Sequence, residues 1–129
     1  MRFHDYHLKG YSIQETGRTR TIVLDLLYDY PNIEKYSSRI EFRNVTCYLF
    51  THTTGAIITD ITEVDIAVLV SEEATALTAM AREYGLEHWR TDAMHYLETL
   101  KAENFKAWRI ESAIGFNGFV IGKEIEGTP

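Results

Sequence analysis

A chain of 129 residues, 45% hydrophobic and 25% charged, has the size of one domain and can bury about two-thirds of the surface its unfolded form exposes. Thirteen Lys and Arg against nineteen Asp and Glu leave a formal charge of -6, which disfavours nucleic acid or an anionic membrane as partner and suits a basic protein. A single cysteine, Cys47, excludes an intrachain disulfide, and no apolar run approaches the ~20 residues that span a bilayer. Since "MRFHDYHLKG" has no apolar signal core, a cytoplasmic protein is expected.

Residues 3–15 and 20–30 predict a pair of strands. In "TRTIVLDLLYDYP" Ile22, Leu24, Leu26, Tyr28 and Tyr30 share one parity, the period of a half-buried strand. Gly17 supplies the positive φ that a short hairpin loop wants, and Pro31-Asn32 ends the second strand. "SSRIEFRNVTCYLF" places Ile40 and Phe42 on one parity but Val45, Cys47 and Leu49 on the other, so a bulge or break is expected at Arg43-Asn44. The apolar neighbours of Cys47 predict a buried, inert thiol. "THTTG" reads as a turn and "AIITDITEV" as a fourth strand.

The period then changes to that of a helix. Ser71 is positioned to cap a helix with Glu72 and Glu73 in its first turn, and Gly85 fits the position just past its end. A second helical stripe carries Leu86, Trp89, Ala93, Tyr96, Leu97 and Leu100, stopped by Asn104. The last apolar stretch, "SAIGFNGFVIG", reads as a hairpin turning at Asn117-Gly118, with Phe116 facing Phe119, Ile114 facing Ile121 and Glu111 facing Glu124. A phosphate-binding loop is excluded there, because no G-x-G-x-x-G, no following Lys-Ser/Thr and no following helix is present.

These elements predict a single domain over 1–129. It is α+β, with about six mostly antiparallel strands forming a curved sheet or partial barrel and a one- or two-helix insertion between strands 4 and 5.

Several groups carry candidate chemistry. His88, Asp92 and His95 fall at i, i+4 and i+7 of the predicted second helix, a spacing that could present zinc ligands. That side lies about 120° from the apolar stripe, so a solvated face is expected and no metal. In "FHDYH", Asp5 and His7 share a strand face and His4 takes the other. A carboxylate orienting an imidazole suits proton transfer, whereas a histidine hydrogen-bonded near a sheet edge is the plainer reading. Facing carboxylates at Glu111 and Glu124 could raise one pKa for catalysis, but flanking charges favour a surface charge ladder. Phe116 and Phe119 are either core beneath the helix or an exposed docking tip.

The order "FHDYHL", "RTIVLDLLYDYP", "RIEFRNVTCYLF", "AIITDITEV" and "WRIESAIGFNGFVIG" resembles a broad set of small bacterial proteins. Some of them are grouped with the immunity proteins of polymorphic toxin systems. The resemblance implies a cytosolic protein that binds and blocks a toxin without catalysis of its own, with His4 and Asp5 matching the opening motif. The helical stretch 71–104 departs from the simpler all-sheet members.

The reading that follows is a non-enzymatic protein-binding domain without a cofactor, immunity-like in role, acting on a protein partner or on itself. The alternative is a small-ligand binder or weak enzyme with its site in the concave sheet at His4, Asp5 and His7. A cavity lined by those groups would favour the alternative, and a surface without one the binder.

Overall fold

The computed structural model describes residues 2–31 and 34–127, with side chains from residue 5 onward except that of Tyr36. The first hairpin forms where its turn residues place it. Strand β1 (Arg2–Thr16) returns as β2 (Thr19–Tyr28) through a turn in which Gly17 holds φ 63°, and Thr16 faces Thr19. In β2 the predicted face is buried, with Ile22, Leu24 and Leu26 almost fully covered, while on the other parity Asp25 is exposed but Val23, at 1%, is buried as well.

Strand β3 (Tyr36–Arg43) pairs antiparallel with β2 and ends where the parity slips, with Asn44 in the left-handed region at φ 53°. Strand β4 (Cys47–Val64) corrects the sequence reading. "THTTG" is not a turn: Gly55, at φ 76°, lies inside a register irregularity, and the chain runs on as one strand. An irregularity of this kind bends a strand without reversing it.

Three helices follow, where the sequence predicts one or two: α1 (Ile66–Glu72), α2 (Ala74–Glu83) and α3 (Ala93–Ala102). The first starts earlier than expected. Its cap is Asp65, whose carboxylate accepts from the Ala67 amide at 2.8 Å, and Ser71 lies within the helix. Gly85, at φ 78°, ends α2 as predicted by donating to Ala81. Residues 86–92 are not helical. Asp92 instead caps α3 by accepting from the His95 amide at 2.9 Å, and Asn104, at φ 63°, follows its end.

The predicted second hairpin is the largest correction. Strand β5 (Lys106–Gly122) runs straight through Asn117-Gly118 and pairs along its length with β4, Asn117 opposite Thr51 and Gly118 opposite Phe50. Glycine is needed at 118 for close approach: a Cβ there would lie 2.7 Å from the Leu49 carbonyl oxygen and 2.6 Å from the Phe50 ring. Glu111 accordingly faces Asp60, and Glu124, in the short β6 (Glu124–Glu126), faces Arg43. Since Asn117 is an exposed strand residue, Asn117→Thr should change stability by less than about 0.5 kcal/mol, or raise it, in urea denaturation. A type I′ corner would instead be disrupted by a β-branched residue.

The six antiparallel strands form one curled half-barrel in the order β5-β4-β1-β2-β3-β6. Its two outermost strands are separated in sequence only by Lys123, whose amide donates to the Arg43 carbonyl at 3.0 Å. The chain thus crosses from one edge of the sheet to the other. Inside the curl lie Ile22, Leu24, Ile40, Phe42, Ile58, Trp108, Ile110, Phe116 and Val120. A second core lies on the outer face, where Cys47, Phe119 and Ile121 meet Leu69, Leu77, Tyr96 and Leu100 of the helices. Phe119, Val120 and Ile121 are consecutive and all buried because this part of β5 is covered on both faces.

Candidate functional site

The ladder between β1 and β4 is short. Its pairs run from Arg2↔Asp60 to His7↔Ile57 and stop. Beyond that point residues 8–16 pair only with β2, and residues 47–52 only with β5. The half-barrel therefore opens along a seam with an unpaired strand edge on each side.

A bulge at Leu8/Gly10 changes the parity of β1, so that Tyr11 faces Leu24 and Ile13 faces Ile22. Both then share the inward side of the sheet, yet they remain 38% and 40% exposed while their cross-strand partners are fully buried. The Tyr11 ring reaches Phe50 edge-on at 5.3 Å and also contacts His52 and Phe116. Phe116 in turn contacts Phe50 at 5.1 Å and His52 at 5.6 Å. Aromatic side chains thus line the opening where a further strand would otherwise lie. No Asp, Glu, Lys or Arg occurs from Asn44 to Thr59, although charges are the usual protection of a strand edge.

The residues singled out from sequence separate in space. Phe116 belongs to the inner core, at 7% exposure, and Phe119 to the outer one, at 2%. They occupy opposite faces of β5 and form no hairpin tip. The His4 side chain lies outside the described residues. Asp5 adopts φ 68°, which breaks the strand alternation that would have aligned it with His7. Its carbonyl accepts a 2.6 Å hydrogen bond from the Tyr30 hydroxyl, and the Tyr30 ring lies 5.3 Å from that of His7. Partial burial, with the Asp5 charge and then Tyr28, raises the Tyr30 pKa. Among the described residues Asp5 and His7 share no hydrogen bond or ion pair, and neither lines a described cavity.

His88 and His95 do not share a helix, because His88 lies in the 86–92 connection at φ 71°. Its Nδ1 sits 3.1 Å from the Glu103 carboxylate. Among the described residues no three His, Cys, Asp or Glu side chains converge as a metal site would require. Cys47 is buried at 3% exposure, as predicted. Burial pushes its thiol up to about 11, the adjoining Tyr96 hydroxyl acting the other way.

The seam residues Tyr11, Ile13, Phe50 and His52 were not marked by sequence reasoning. Their one available signal was the uncharged stretch around "CYLFTHTTG", which a strand pairing on both sides would carry equally well. No protein-family model, curated protein or solved structure matches the chain. What fold and site define is a class: an α+β half-barrel with an open, aromatic-lined seam and helices on its outer face. Among the described residues no helix is long and apolar enough to cross a membrane.

Proposed function

We propose that this chain is a non-enzymatic protein-binding domain that takes an extended segment of a partner into the seam between β1 and β4. The observation that carries this reading is the pair of unpaired strand edges, that of β4 without a charged side chain and that of β1 with Lys9 and Glu15 toward its ends, flanking inward-facing Tyr11 and Ile13. An added strand would satisfy the backbone groups on both edges and cover the exposed aromatic surface, with affinity from main-chain hydrogen bonds and specificity from alternate side chains. The immunity-like role implied by the sequence resemblance fits this surface. A basic toxin segment would meet a chain whose net charge is -6. The alternative site at His4, Asp5 and His7 has less support, since no described cavity includes Asp5 or His7.

The test is selection of twelve-residue peptides that bind the purified protein, followed by hydrogen exchange. Selected binders should alternate apolar and polar residues and slow amide exchange within residues 9–16 and 47–55. Ile13→Lys, which puts a charge in the seam, should weaken them at least about tenfold. Binders that protect other segments, or that ignore Ile13→Lys, would refute the reading.

A further inference from the structure

A second concavity lies away from the seam, where five connections meet. It has a volume of about 260 Å³. Arg18 of the β1–β2 turn, Arg20, residues 44–46 between β3 and β4, and Lys123 come from the sheet. Glu87 and His88 before α3, with Glu103 and Phe105 after it, come from the helical layer.

The polarity of the walls is divided. The sheet side contributes three cations, and the helical side two carboxylates that flank His88, at 3.9 Å from Glu87 and 3.1 Å from Glu103. These opposite charges do not neutralise one another. Among the described residues Arg18 and Lys123 form no ion pair, and the Lys123 ammonium instead lies 4.9 Å over the Phe105 ring. Arg20 is partly used, through Nε to Glu15 at 2.9 Å and Nη1 to the Val45 carbonyl at 3.3 Å. In the wall, the Thr46 hydroxyl is buried with no hydrogen-bond partner.

The backbone supplies an independent sign. Four described non-glycine residues have positive φ: Asp5, Asn44, His88 and Asn104. Asn44 and His88 line this cavity, and Asn104 sits between the lining residues Glu103 and Phe105. Left-handed conformations in non-glycine residues are strained and gather at ligand clamps.

We propose that this cavity binds a small zwitterion, its carboxylate against Arg18 and Lys123 and its ammonium against Glu87 and Glu103. The volume lies just below the roughly 300–1,000 Å³ typical of drug-sized ligands, so the ligand is a metabolite of about amino-acid size. Two cations without an ion pair on one wall, facing two carboxylates whose one neighbouring base is His88 on the other, favour a dipolar molecule over a plain anion, which would leave the carboxylates facing it. The site shares no residue with the seam and stands or falls separately.

The experiment is calorimetric titration with 4-aminobutanoate and diglycine, with butanoate and butylamine as single-charge controls. At least one zwitterion should bind about tenfold or more tightly than either control. Lys123→Met and Glu103→Gln, both at exposed positions, should each weaken it by a similar factor while the thermal midpoint stays near that of the unaltered protein. If either variant loses its fold, Arg18→Gln in the exposed turn provides the same reading. Butanoate binding as tightly as the zwitterions would overturn the proposal, and so would an absence of heat at millimolar concentrations or variants that bind unchanged.

Discussion

Phe119→Ala is expected to lower the free energy of unfolding by about 3–5 kcal/mol, the largest single effect we foresee for the protein. Phe119 is 2% exposed on the outer face of β5 and packs in the cluster formed by Leu69, Leu77, Tyr96 and Leu100. Removing the ring leaves a void that the surroundings cannot fill, because β5 is pinned on its other face by Val120 within the inner core. Domains are stable by about 5–15 kcal/mol, so this loss is a large share of the total. Urea denaturation would measure it.

The two tryptophans sharpen that test. Trp108 lies in the inner core, 5.6 Å from the Phe42 ring, while Trp89 lies against the outer one, 5.3 Å from Tyr96. Single-tryptophan versions made with Trp89→Phe or Trp108→Phe therefore report one core each. Strands β4 and β5 contribute residues to both cores, so the two transitions should coincide and both should move with Phe119→Ala. A shift below about 1 kcal/mol, the size of an ordinary surface effect, would mean that the helical layer is not held through this residue.

Stability should also fall as pH rises from about 9 to 11, by about 2–3 kcal/mol through Cys47 alone. In the folded chain burial raises the thiol from 9.0 to about 11. Below pH 9 the thiol is protonated in both states and the contribution is fully present. Between the two values the unfolded chain releases its proton while the folded chain keeps it, so alkali favours unfolding. Tyr96 acts in the same direction above its ordinary range, because burial, and then Cys47 beside it, raises its pKa as well. Chemical denaturation at pH 8, 9, 10 and 11 would trace the slope. Cys47→Ala should flatten the part between 9 and 11 whatever it costs in packing, and an equally steep slope in that variant would remove the thiol as its source.

The parts of this fold that sequence determined are those fixed by neighbours along the chain. Gly17 turns the first hairpin, Gly85 closes α2, and the parity slip at Arg43-Asn44 marks the break before β4. Alternation in β2 placed Ile22, Leu24 and Leu26 in the core because a half-buried strand has a period of two whatever it packs against. The apolar setting of Cys47 likewise sufficed to predict its burial.

Tertiary structure decided the rest, and Asn117-Gly118 shows why. An Asn-Gly pair between apolar residues signals a corner, but at 118 the glycine admits the Phe50 ring and the Leu49 carbonyl of β4. Those atoms lie nearly seventy residues away in the chain, so no local pattern distinguishes the two uses. The register of β5 on β4 separated Phe116 from Phe119, and the early end of the β1–β4 ladder opened the seam at Tyr11. The charged cavity likewise draws Arg18, Asn44, His88, Glu103 and Lys123 from separate connections, each of which reads alone as an ordinary polar loop. Local spacing sets which face a side chain takes; long-range pairing sets what that face meets.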